Sequence, residues 1–121
     1  MKEIMKPLFH PALDAITLEG IFHALSDPVR AAIFAEITLA DCPQTCTVFS
    51  RITERTIPKS TLSQHFKTLR EAGLIRSGRE GVEMHNVSRC QEIEQRFPGL
   101  MISILTAYKK QMQEQAAAAA Q

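Results

Sequence analysis

The 121-residue chain lacks any strong excess of charge of one sign: its formal net charge is +1. A balance that small does not by itself point to a polyanionic partner. Long apolar runs are missing too. Nothing approaches the ~18 consecutive apolar residues of a membrane-spanning helix, and the blandest apolar stretch is the tail Ala116–Ala120. The opening MKEIMKPLFH has no uninterrupted apolar core of the kind a secretory signal carries. These absences predict a cytoplasmic protein with no membrane partner. Cysteine is scarce, and Cys42, Cys46 and Cys90 make an odd count that argues against a disulfide framework in a reducing compartment. No glycine-rich phosphate loop, HExxH pair or GxSxG elbow is present. His10, His23, His65 and His85 are scattered without a carboxylate partner at catalytic spacing. No enzyme and no cofactor are expected.

Hydrophobic residues at 45% and charged residues at 22% fit one ordinary globular domain with a thin core. The charge is unevenly spread. Residues 51–79 hold Arg51, Arg55, Lys59, Lys67, Arg70, Arg76 and Arg79 against Glu54 and Glu71, a local +5, so the other 92 residues sum to −4. A basic surface on a slightly acidic body attracts phosphates locally, although an ordinary solvated face has the same composition.

Residues 1–16, with Pro7 and Pro11, read as a loose arm; 17–113 form the domain; 114–121 are a frayed Ala/Gln tail. Leu18, Ile21, Phe22 and Leu25 give a helical stripe. Asp27-Pro28 then supplies an N-cap and an N1 proline for a helix over 28–40, burying Val29, Ile33 and Ile37 with Phe34 beside them. Val48, Phe49, Ile52 and Ile57 point to a short helix and a turn. A helix over 60–72, capped by Lys59 or Ser60, buries Leu62, Phe66 and Leu69 and ends at Gly73. Leu74–Ser77 and Val82–Val87 flank the four-residue loop Gly78-Arg79-Glu80-Gly81 as a hairpin. Ser88 caps a segment containing Ile93, and Phe97-Pro98 breaks it. The last helix carries Leu100, Ile104 and Leu105, widened by Met101, Ile102 and Tyr108. That is more apolar surface than its own domain can cover, which predicts a helix shared with a second subunit.

Once Leu62, Phe66 and Leu69 are buried, the 60–72 helix presents Thr61, Ser63, Gln64, Lys67, Thr68 and Arg70 outward. Hydroxyls, an amide and cations on one helix face suit the base edges of a major groove. Arg79, with Arg76 nearby, can lie along flanking phosphates. Phosphate contacts position the protein, while Ser63 and Gln64 would choose sequence. The expected partner is double-stranded DNA.

Ala24-Leu25-Ser26-Asp27-Pro28-Val29-Arg30 resembles the "ALxDPxR" signature of ArsR/SmtB-type repressors, and Ser60 through Ile75 is similar to that family's recognition helix and following strand. The resemblance spans roughly 18–108. It implies a mainly α fold with a β-hairpin wing, a winged helix-turn-helix. It also implies a homodimer paired through its N- and C-terminal helices, acting on a palindromic operator as a repressor released by an effector. The groove-reading positions it implies are Lys59, Ser60, Thr61, Ser63 and Gln64; His65 is expected to pack between helices. Two such helices would enter successive major grooves about 34 Å apart.

The family's effector sites do not carry over. Where arsenic- and cadmium-sensing members have C-x-C, this chain has Cys46-Thr47-Val48, and no histidine follows His85 for the usual zinc site. Nitrogen and sulfur ligands are short, so no metal site is expected. Cys42-Pro43-Gln44-Thr45-Cys46 remains: two thiols four residues apart, a redox pair in reach of a disulfide. A thiophilic ligand such as arsenite, with Cys90 as third sulfur, is the alternative, and two inert buried thiols are another. Rivals from other classes are a winged-helix protein-interaction module and a thiol oxidoreductase, the latter without the βαβ context of that chemistry.

Overall fold

A computed structural model describes residues 8–39, 44–45 and 57–120, with side chains described outside 44–45. The chain order is a 3-10 turn Leu13–Ala15, α1 Leu18–Leu25, α2 Pro28–Leu39, β1 Gln44–Thr45, α3 Lys59–Glu71, β2 Ile75–Glu80, β3 Glu83–Ser88, α4 Cys90–Arg96 and α5 Leu100–Ala119. The three strands form one antiparallel sheet in the order β1-β3-β2, with Gln44 opposite Asn86 and Ile75 opposite Ser88. The short strand β1 is new relative to the sequence expectation. The short helix expected after it lies outside the described residues, as do Cys42 and Cys46.

Local chemistry sets the element boundaries. Asp27 Oδ1 accepts from the Val29 and Arg30 amides at 2.8 and 3.1 Å and caps α2, with Pro28 at the position that needs no N–H. Arg30 reaches back to donate to the Ala24 and His23 carbonyls at 2.7 and 3.1 Å. One Asp-Pro-x-Arg segment thus starts α2 and satisfies the end of α1. Gly73 closes α3 at φ +87°, with Leu74 N–H donating to the Leu69 carbonyl at 3.0 Å. Glu94 caps α5 from the preceding helix, its two oxygens accepting from Gly99 and Ile102 amides at 2.8 and 2.9 Å. Those donations hold its carboxyl below the ordinary glutamate value.

The core gathers α1 (Ile21, Ala24), α2 (Ile33, Phe34, Ile37), α3 (Leu62, Phe66, Leu69) and the start of the wing (Leu74, Ile75), closed by Ile93 and Met101. The α2 and α3 faces match the periodicity, with Val29 only half-buried. Elsewhere the structure corrects the sequence reading. On α1 the buried face is Ile21 and Ala24, whereas Leu18 and Phe22 are 37% and 55% exposed. The cap of α3 is Pro58, whose carbonyl accepts from Leu62 N–H at 2.9 Å; Lys59 and Ser60 lie inside the helix. The hairpin turn is Gly81-Val82 alone, so Gly78, Arg79 and Glu80 are strand residues, Arg79 opposite Met84. On α5 the one fully buried residue is Met101; Leu100, Ile104 and Leu105 are half-buried and Ile102 is 66% exposed.

Residues 8–16 do not lie loose. Ile16 is 1% exposed and packs in the core, Pro11 is buried, and two arginines donate to this segment: Arg89 Nη1 to Pro11 O at 2.8 Å and Arg96 Nη1 to Leu13 O at 2.6 Å. His10 Nε2 accepts from the Ser77 amide of β2 at 3.0 Å. Because β2 is an edge strand, that contact occupies an N–H that the ladder leaves open.

Candidate nucleic-acid interface

The sequence of α3 separates its two faces sharply. Leu62, Phe66 and Leu69 anchor it to the core at 6%, 3% and 0% exposure. Burying three such side chains fixes the rotation of the helix at roughly 1.5–3 kcal/mol each. With that rotation fixed, Lys59, Ser60, Thr61, Ser63, Gln64 and Lys67 all face solvent. Thr68 is half-buried and its hydroxyl donates to the Gln64 carbonyl at 3.0 Å, which removes it from the outward set. Arg70 is half-buried as well.

The amino-terminal end of α3 is electrostatically suited to an anion. Its first turn has no acidic residue, Lys59 stands at its first position, and no side chain caps it. Its first amides therefore have no partner within the helix, and the helix dipole adds positive potential there. His65 is half-buried on the inner side, with its Nδ1 buried and without a hydrogen-bond partner among the described residues. It faces the α1–α2 corner: Asp27 is pushed up by burial, but the Arg30 and Val29 amides, with His65 and Arg30 nearby, hold its carboxyl below the usual range.

The wing follows α3 after Gly73 and Leu74 and places Arg79 exposed in β2. Arg76 stands apart from the other cations named. It is exposed, yet its Nε and Nη2 donate to Glu92 Oε2 and Oε1 at 3.2 and 2.9 Å. The same carboxylate accepts from Arg89 Nε and Nη2 at 3.1 and 3.0 Å. Hydrogen bonds first from Arg89 and then from Arg76 hold Glu92 below the ordinary glutamate value. Sequence reasoning missed Arg89 and Glu92: a lone arginine between Ser88 and Cys90 carries no pattern, and only the fold brings it beneath the wing. Cys90 at the start of α4 is half-buried, and burial, then Glu94, pushes its thiol up. Among the described residues no three His, Cys, Asp or Glu side chains gather as a metal-ligand set.

Residues 25–78, from the end of α1 into β2, match the protein family described as Helix-turn-helix domain. The hairpin behind α3 supplies the wing. The fold is a winged helix-turn-helix. Its fold is similar to that of an ArsR-like transcriptional regulator from Rhodococcus sp. RHA1, with a TM-score of 0.52 and 24% identity over 84% of this chain and 87% of that one. No curated protein matches the chain. Within the winged helix-turn-helix frame α2 and α3 are the paired helices, α3 the outward one, and β2–β3 the wing. No helix among the described residues is long and apolar enough to cross a membrane.

Proposed function

We propose that this winged helix-turn-helix protein is a DNA-binding transcriptional regulator of the ArsR type, a homodimeric repressor on a palindromic operator. The observation that carries the reading is the outward face of α3. Its buried face is fixed by Leu62, Phe66 and Leu69, its exposed face is Ser60, Thr61, Ser63, Gln64 and Lys67, and its amino terminus has no acidic residue. Lys59, Ser60, Thr61, Ser63 and Gln64 face the groove, where Ser63 and Gln64 read base edges; Lys67 and Arg79 contact phosphates; Arg76 is held in its ion pair with Glu92. Exposed Leu18 and Phe22 on α1 and Ile102 on α5 support pairing of two copies through these helices.

Release from DNA is assigned to oxidation of the Cys42 and Cys46 thiols, which lose two electrons and two protons to an oxidant such as a peroxide and form one disulfide. Their sequence positions support this. They flank Gln44–Thr45, the strand that pairs with β3 of the wing, so a change there bears on the wing's inner edge.

An anisotropy titration against the DNA upstream of the protein's own gene, with reductant and with mild oxidant, tests both parts. Tight, salt-sensitive binding that oxidant removes and reductant restores is the expected result. Gln64→Ala should cost about 1–3 kcal/mol of sequence discrimination, and Arg79→Ala should lower the salt slope by about 1. Binding indifferent to oxidant overturns the thiol switch and leaves the regulator. Binding indifferent to both substitutions overturns the assigned surface and favours a protein-interaction module.

A further inference from the structure

A concave feature lies between α2 and α5, and none of the α3 residues named above lines it. Ala32, Ala35, Glu36 and Leu39 on α2 face Leu105, Thr106, Tyr108, Lys109 and Met112 on α5 across a cavity of about 440 Å³. The α2 positions, and Leu105, Tyr108, Lys109 and Met112 on α5, each follow i, i+3, i+4, i+7, so one full helical face from each side lines the slot. The size falls within the range of roughly 300–1,000 Å³ typical of small-molecule pockets, and such pockets combine apolar walls with a few polar groups. Here the two alanines add no bulk that would fill the slot. Leu39, Leu105 and Met112 supply apolar contact, and the Tyr108 ring and Met112 sulfur favour an aromatic guest.

The polar groups decide the ligand's charge. Glu36 and Lys109 put one negative and one positive charge at the slot, both on exposed residues, so their sum gives no preference for an anion or a cation. A charged guest meets one like charge. A neutral guest with a hydroxyl or amide meets donors and acceptors only: the Thr106 and Tyr108 hydroxyls, the Glu36 carboxylate and the Lys109 ammonium. The Tyr108 phenol is half-buried, and burial together with Glu36 pushes its pKa above the ordinary value, so it remains a donor across the physiological range.

We infer that the α2–α5 slot binds a small, uncharged aromatic molecule bearing a hydroxyl or amide group. The consequence for regulation rests on the proposed function above. Helix α2 packs directly on α3 and on β3, so a guest that sets the spacing of α2 and α5 acts on both DNA-facing elements. The ligand is the effector class that this geometry accepts, independent of thiol chemistry.

The sequence contains a single tyrosine, so the Tyr108 ring resonances report on the slot without assignment ambiguity. The probes are 1-naphthol, its anionic relative 1-naphthoate and the cationic 1-naphthylmethylammonium, titrated into the full chain. Saturable Tyr108 shifts with 1-naphthol at sub-millimolar concentration, and at least ~10-fold weaker response to both charged relatives, are expected. Ala32→Leu, which fills the slot with an apolar side chain, should remove the naphthol shifts while the thermal midpoint stays unchanged. Thr106→Ala, on the exposed face of α5, should weaken them several-fold. Equal response to all three probes, or naphthol shifts that survive Ala32→Leu, would overturn the proposal. So would Tyr108 resonances that move on dilution of the protein and ignore naphthol, the signature of a second copy in the slot. DNA binding is read separately, so a chain that takes naphthol but ignores the operator supports the site and sinks the regulator reading, while the reverse sinks the site alone.

Discussion

Arg76 and Arg89 grip the carboxylate of Glu92 from two sides, each through paired hydrogen bonds of 2.9–3.2 Å. The two arginines are unlike in burial: the Arg76 side chain is 49% exposed and that of Arg89 is 1% exposed. Arg89 also donates to the Pro11 carbonyl, so one buried cation ties the amino-terminal segment, the wing and α4 together. A guanidinium taken out of water is tolerated because Nε, Nη1 and Nη2 all have acceptors.

Replacing Glu92 by Gln leaves Arg89 buried without its counter-charge. The expected loss is about 2 kcal/mol, below the figure for a fully buried pair because Glu92 is partly solvated. The carboxyl's folded pKa is depressed below its ordinary 4.5. Its contribution is therefore complete above about pH 4.5 and drains away as pH falls through the lower folded value. Urea midpoints across pH 3–7 should show this acid loss in the parent protein and a flatter profile in Glu92→Gln. Matching profiles in the two proteins would remove Glu92 from the account.

His10 gives a second pH dependence of the opposite chemical type. Its Nε2 can accept from Ser77 N–H only when the ring is neutral. Burial lowers its pKa from 6.5, and Arg76, Arg70 and Arg89 lower it further. A histidine whose folded pKa lies below its unfolded one stabilises the fold fully above about pH 6.5 and stops doing so as pH falls through the folded value. The protection factor of the Ser77 amide should fall on acidification through the folded value. In His10→Gln, whose carbonyl accepts without titrating, protection should persist to lower pH; equal behaviour of the two proteins would argue that residues 8–16 are held by their other contacts.

Gly73 is required twice. Its φ of +87° disfavours any residue with a Cβ, and a Cβ there would collide with Cδ1 and Cγ1 of the buried Ile16. Gly73→Ala should destabilise by about 3 kcal/mol, the sum of left-handed strain and displacement of Ile16. Ile16→Ala removes the obstructing atoms, so the double variant should lose less than the two single losses combined. Strict additivity in urea unfolding would show that the collision contributes nothing.

These sites explain what the sequence could reveal. The Asp27-Pro28 start of α2, the buried spacing of α3, the Gly73 terminus and the presence of a wing are local features, each encoded within a few residues. Long-range contacts were illegible. Ser77 meets His10 across 67 positions and Arg89 meets Pro11 across 78, and no periodicity records either. By sequence Gly78 resembles a loop residue, whereas it sits exposed in β2 opposite His85. On α1, Leu18 and Phe22 carry a helical stripe that this chain leaves open to solvent, and the buried face is supplied by Ile21 with a small Ala24. Hydrophobic spacing identifies a helix but not which surface it will cover.

That exposed stripe leads to the test of pairing. Phe22 at 55% and Ile102 at 66% exposure lie on the two helices through which the proposed dimer forms. Neither belongs to the buried core, so charged replacements should leave the monomer fold intact. Phe22→Glu with Ile102→Glu places carboxylates where two copies would meet, and like charges with lost apolar contact oppose association. Sedimentation at micromolar concentration should give a dimer for the parent and a monomer for the double variant, with equal helicity. Loss of the partner should also weaken operator binding by ~100-fold or more, because the second recognition helix no longer benefits from tethering. A parent protein that sediments as a monomer, or a variant that remains dimeric, would place the interface elsewhere or dispense with it.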